Sequence, residues 1–179
     1  MVSSDRSPVS EIGARPQIER YLDCLIRWAP KINLTAAVTR DAAFETLVAP
    51  VLGAEALLQG HVIDVGSGNG SPALVLAALR PDLHFTLLEP RAKRWAFLRE
   101  AAREMGLGNS NALRVRSDAY LGAPAGTITM RAVGLNPSGL RPLLQPSGGC
   151  VLVFGGPDLE GAEAITLPGG SRVQRQCFT

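Results

Sequence analysis

The stretch Val62-Ile63-Asp64-Val65-Gly66-Ser67-Gly68-Asn69-Gly70-Ser71-Pro72 decides how this chain folds. An apolar run ends at Asp64 and Val65, and glycines follow at three alternate positions. Ser71 is placed to cap a helix opening at Pro72, where a missing N–H costs nothing. Glycine lets a ligand lie against bare backbone. A strand, a tight glycine turn and a helix N-terminus together make a cradle for a nucleotide-type ligand. The competing reading is a purely structural turn.

A dinucleotide fold places its glycines at the first, third and sixth positions of such a turn. Here those positions are Gly66, Gly68 and Ser71, and the third glycine falls instead at Gly70, giving G-x-G-x-G. Further on, His84-Phe85-Thr86-Leu87-Leu88-Glu89 reads as a buried strand ending in an acid, 19 residues past Gly70. A carboxylate about 20 residues after the glycine turn can accept the hydroxyls of a ribose; the alternative is a solvated acid at a strand end. With Asp64 ahead of the first glycine, the turn resembles motif I of class I S-adenosylmethionine (SAM) methyltransferases.

Composition narrows the classes. A chain of 179 residues with 46% hydrophobic and 19% charged residues is expected to form one domain with a full core. Aromatic residues make up only 5%, which argues against the stacking platforms of single-strand-binding proteins. A net charge of +2 does not by itself point to nucleic acid. No apolar run reaches the length of a membrane span and no targeting segment is evident, so a cytoplasmic protein without a membrane partner is expected. Cys24, Cys150 and Cys177 form no C-x-x-C pair, and reduced thiols with no metal site are expected.

Residues 1–15 read as a polar lead-in, and from Ile18 apolar positions recur at helical spacing through Ile26. Pro16 suits the first turn of that helix and Pro30 its end; a second helix over 41–58 is interrupted at Pro50 and Gly53. These form a helical lid over 1–58. From 61 to 179, strands near 61–66, 84–89, 112–117, 126–131 and 149–154 alternate with helices near 72–80, 91–105 and 137–144. A hairpin over 163–179 turns at Pro168-Gly169-Gly170. The fold class is α/β, a Rossmann-like, doubly wound and mostly parallel sheet.

Four stretches together resemble the family of RsmG, also called glucose-inhibited division protein B. They are W-x-x-K-I-N-L-T at 28–35, D-V-G-S-G-N-G-S-P at 64–72, F-T-L-L-E-P-R-A-K-R-W-A-F-L at 85–98 and R-A at 131–132. The resemblance implies SAM-dependent N7-methylation of a guanine in small-subunit (16S) ribosomal RNA; a monomer is expected. It places Gly66 and Ser71 on the methionine part of SAM, Ser117 and Asp118 beside adenine, Arg131 beside the donor methyl, and Asn33 at the catalytic cleft. Asp64, Gly68, Gly70 and Glu89 complete the cofactor set. The chain departs from the family pattern at Ala49-Pro50-Val51-Leu52-Gly53-Ala54, where R-H-I-L-D-S is usual. It also has Gly126 for an aspartate and Gly155-Gly156 for a lysine-glycine. The resemblance thus implies polar groups lost around the catalytic cleft.

Guanine N7 carries a free lone pair, so its methylation needs positioning rather than a strong base. The absence of an obvious catalytic His or Cys is compatible with that, and His61 and His84 at strand starts read as structural. Arg131 can hold a guanine edge, or it can pair with an acid such as Asp118. Lys93, Arg94 and Arg116 belong to a basic run between 80 and 116 that offers a phosphate-binding face; a solvated helix surface is the bland reading. Other readings are a SAM-binding relative without catalysis, a small-molecule methyltransferase and an NAD-dependent dehydrogenase, the last disfavoured by Ser71.

Overall fold

The computed structural model of the protein describes residues 8–131 and 134–179, with side chains from 15 onward. Ala132 and Val133, just past the fourth predicted strand, lie outside the described residues, as do residues 1–7 of the predicted lead-in. The strands are β1 (Val62–Val65), β2 (Phe85–Leu88), β3 (Ser110–Leu113), β4 (Thr127–Arg131), β5 (Gly149–Phe154), β6 (Glu163–Thr166) and β7 (Arg172–Phe178). They form one sheet in the order β3-β2-β1-β4-β5-β7-β6. The first five run parallel, and β7 is antiparallel to both its neighbours. The chain steps outward from β1 to β2 and β3, then returns to the other side of β1 for β4. That reversal opens a crevice beyond the carboxyl ends of β1 and β4.

The central strands are covered on both faces, which is why they read as unbroken apolar runs. All four residues of β1 are buried. The third strand lies at 110–113 rather than 112–117. As the sheet edge it is fixed by its register on β2, Phe85 opposite Ser110, and not by an apolar pattern of its own.

Helices α1 (Pro8–Trp28), α2 (Arg40–Ala43), α3 (Ala73–Leu79) and α4 (Ala92–Met105) complete the frame. The lead-in expected over 1–15 is helical from Pro8, and Pro16 lies inside α1 rather than in its first turn. After α2 a π turn (Phe44–Val48) and two 3-10 turns (Ala49–Val51, Ala54–Leu57) replace the predicted long helix, broken at Pro50 and Gly53 as expected. The predicted helix near 137–144 is a 3-10 stretch, Pro137–Leu143, with Pro142 inside it. Every residue of α3 is buried. Tyr21, Leu22 and Leu25 of α1 share its core with Phe97, Leu98 and Met105 of α4. The N-terminal segment is therefore a layer of the core.

Two departures from the family pattern have a packing reason. A Cβ on Gly53, at φ +94°, would stand 2.4 Å from Pro168 Cδ in the hairpin turn. One on Gly126 would stand 2.5 Å from the Gln59 carbonyl oxygen. Gly126 also lies at the amino end of β4, so the missing aspartate is not a loss from the crevice. Gly155 and Gly156 follow the carboxyl end of β5 with open space around them.

The cysteine expectation is overturned. Cys150 and Cys177 are register partners on β5 and β7, with Cα atoms 4.0 Å apart, and form a disulfide. A separation of 27 residues hides this pairing until the hairpin folds back. Cys24 is free and buried, and burial pushes its thiol up to about 11. Among the described residues no helix is long and apolar enough to cross a membrane, and no group of three His, Cys, Asp or Glu could hold a metal.

Candidate functional site

A cleft of about 580 Å³ opens at the carboxyl ends of β1, β2 and β4. Gly66, Gly68, Asn69, Glu89, Arg94 and Arg131 are among its lining residues. The turn that follows β1 needs its glycines: Gly68 and Gly70 have φ +49° and +88°. A Cβ on Gly70 would sit 2.6 Å from Leu74 Cδ1 and 3.3 Å from Tyr21 Cε2. The turn is thereby pinned between α1 and α3.

Glu89 is 3% exposed, which rules out the surface-acid reading. Its Oε2 accepts the Gly68 N–H at 3.1 Å and its Oε1 the Arg91 N–H at 2.9 Å. The carboxylate fastens the glycine turn to the end of β2 and keeps free lone pairs for a ligand. Asp64 is buried beneath it. Thr129 Oγ1 donates to Asp64 Oδ1 at 2.5 Å, while Oδ2 has no partner. Burial, chiefly, pushes the Asp64 carboxyl up to about 6; the Thr129 and Ser67 hydroxyls oppose the shift and the nearby Glu89 charge adds to it.

Ser71 does not cap α3, which begins at Ala73. Its buried hydroxyl donates to the Leu47 carbonyl at 2.6 Å and accepts from Arg131 Nη1 at 2.8 Å. Arg131 Nη2 donates to the Thr46 carbonyl at 2.6 Å. Thr46 and Leu47 lie near the end of the π turn, where main-chain carbonyls lack partners within their own helix. Arg131 does not pair with Asp118, which binds Arg116 at 3.2 Å instead. Burial lowers the Arg131 pKa from its usual value, so the guanidinium is a desolvated cation whose partners here are neutral.

The N-terminal segment reaches the turn at further points. Tyr21 Oη donates to the Asn69 carbonyl at 2.9 Å, and burial pushes its phenol well above the usual range. Asn69 Nδ2 donates to the Leu34 carbonyl at 3.2 Å. Asn33 is exposed and meets the site through its carbonyl, which accepts from Arg94 Nη2 at 3.0 Å. Leu34, not Asn33, lines the cleft. Ser117 and Asp118 sit in a separate 3-10 turn after β3, outside the lining. Lys93 is exposed on α4. His61 bonds Thr86 Oγ1 at 2.8 Å and, with His84, borders a depression at the opposite sheet edge, in keeping with a structural role. A further depression of about 590 Å³ lies beside Ile18, Phe44 and Leu79, and its rim arginines Arg15 and Arg40 are paired with Glu19, Arg40 also with Asp23.

Sequence reasoning missed Tyr21, Thr129 and the Thr46 and Leu47 carbonyls. Tyr21 carried only a helical core signal, and a carbonyl carries none.

The fold and the cleft define the Rossmann-like class I arrangement on which SAM-dependent methyltransferases are built. A SAM-dependent methyltransferase from Aquifex aeolicus has the same fold at TM-score 0.58, with 14% identity over 77% of this chain and 93% of that one. The chain belongs to the GidB family, rRNA small subunit methyltransferase G, whose model matches residues 14–158. It is 35% identical over 166 residues to ribosomal RNA small subunit methyltransferase G of Xanthomonas campestris pv. campestris, covering 86% of this chain and 74% of that one. It is 37% identical over 111 residues to the Photorhabdus laumondii protein of the same name, covering 62% of this chain. That match spans 54% of the Photorhabdus protein.

The residues present fit SAM. The glycine turn leaves bare backbone in the cleft, Glu89 keeps acceptor capacity beside it, and the buried Asp64 Oδ2 lacks a partner.

Proposed function

We propose that the protein methylates N7 of a guanine in small-subunit (16S) ribosomal RNA, acting as a cytoplasmic monomer. SAM supplies an electrophilic methyl on a sulfonium. Glu89 takes the ribose hydroxyls, the turn at Gly66, Gly68 and Gly70 gives the ligand bare backbone, and Asp64 supports that turn from below. Ser71 takes part through Arg131, and Ser117 and Asp118 flank the adenine side.

Arg131 is the observation that carries the reading. It ends β4 at the cleft with neutral oxygens as its hydrogen-bond partners, and three of its five N–H groups are left for a substrate. Holding a guanidinium out of water without an acid is costly unless an acceptor arrives. A guanine N7 and O6 edge is such an acceptor pair. The N7 lone pair is already free, so no residue need remove a proton, and the work of the site is alignment. Asn33 contributes by steadying the cleft mouth, and the exposed Lys93 and Arg116 give the RNA backbone cations to meet. Arg94, drawn into the cleft, is not counted among them.

The test is methyl transfer from labelled SAM to naked small-subunit RNA and to assembled subunits, with N7-methylguanine mapped in the product. Arg131→Ala is expected to cut transfer at least about a hundredfold, the scale of a lost charged alignment, while SAM affinity changes only a few-fold. Arg131→Lys rescues poorly because lysine lacks the planar fork. A wild-type protein that binds SAM yet methylates neither substrate overturns the proposal, and the departures at 49–54 and 155–156 then mark a SAM-binding relative without this catalysis.

A further inference from the structure

Arg94 lies in the first turn of α4, half-buried, and lines the cleft together with the glycine turn and Glu89. Its Nη2 donates to the Asn33 carbonyl, which holds the guanidinium inward. Its Nη1 lies 3.6 Å from where a Cβ on Gly68 would stand, so it borders the bare backbone of the turn. Among the described residues Arg94 forms no ion pair, although Glu89 lines the same cleft. Glu89 is instead taken up by two main-chain amides.

The other cations near the cleft are placed differently. Arg131 is tied by one N–H of each terminal nitrogen to Ser71 and the Thr46 carbonyl, across the cleft at the end of β4, Arg116 is paired with Asp118, and Lys93 is exposed. Arg94 is thus a fixed charge beside the glycine turn with a free donor edge, the geometry that suits a planar carboxylate bound through two parallel hydrogen bonds.

We infer that Arg94 binds the carboxylate of the cofactor's methionine tail rather than a phosphate of the RNA. The inference rests on the SAM reading of the cleft. The tether to Asn33 fixes the guanidinium before the ligand arrives, so little side-chain freedom is lost on binding.

The experiment is calorimetric titration, without RNA, of the wild type, Arg94→Ala and Arg94→Lys with SAM and with decarboxylated SAM, which lacks only the carboxylate. Arg94→Ala is expected to weaken SAM about ten- to a hundredfold, the span for a hydrogen bond to a charged group, and to leave decarboxylated SAM within about twofold. Arg94→Lys recovers part of the SAM affinity. Unchanged affinity for both ligands overturns the assignment and leaves Arg94 to the RNA. Equal weakening of both overturns it too, since Arg94 then acts only by holding Asn33. A wild type that binds neither overturns the cofactor reading on which the inference stands, an outcome distinct from the other two.

Discussion

Replacing Asp64 by Asn tests the electrostatics beneath the glycine turn. The carboxyl is buried, Oδ2 has no partner, and its pKa rises from 3.8 to about 6, mainly through burial. At about 1.4 kcal/mol per pKa unit, the ionised form is disfavoured in the folded state by about 3 kcal/mol. Because the folded pKa is the higher one, the folded state binds the proton more tightly between those two values. Stability from this group is therefore complete below pH 3.8 and is lost as pH rises to about 6. The group facing Asp64 with charge is Glu89, and Thr129 and Ser67 face it with hydroxyls. Urea unfolding of ligand-free wild type and Asp64→Asn, from about pH 4.5 to 7.5, reads the effect. The Asn amide's own unsatisfied N–H groups cost the same at every pH, so that cost cancels when the two profiles are subtracted. The wild type is expected to lose about 2 kcal/mol relative to the variant over this range, the share of the effect lying above pH 4.5. Parallel profiles would refute the reasoning.

Glu89→Gln keeps an acceptor for only one of the amides of Gly68 and Arg91, and is expected to weaken SAM by about 1.5–3 kcal/mol and to cost about 1–3 kcal/mol of stability for the amide left facing its NH2 group. Glu89→Ala orphans both amides and is expected to cost about 1–3 kcal/mol of stability for each of them, readable by thermal melting. For the disulfide, the double variant Cys150→Ser with Cys177→Ser is expected to lose about 3–4 kcal/mol in urea, from the loop entropy of a 27-residue separation. A variant as stable as the oxidised wild type would show that pairing along β5 and β7 suffices without the link.

The sequence alone carried what depends on neighbours along the chain. The apolar run into Gly66, Gly68 and Gly70 forces a strand and a tight turn, and the spacing from there to Glu89 repeats the unit, so a parallel sheet with its cofactor edge is legible from period and punctuation. The hairpin turn at Pro168-Gly169-Gly170 is local in the same way. What the tertiary structure decided is every partner chosen across distance. Ser71 looked like a helix cap because its nearest main-chain donors lie just ahead of it, yet the folded chain brings Leu47 and Arg131 closer. Arg131 had an acid within the sequence reading's reach in Asp118, but Asp118 is taken by its neighbour Arg116. Cys150 and Cys177 meet only because β7 runs back along β5. Hydrogen bonds to carbonyls such as those of Thr46, Leu47 and Asn33 leave no trace in residue identity, since every residue has a carbonyl. Only folding decides which of them a guanidinium can reach.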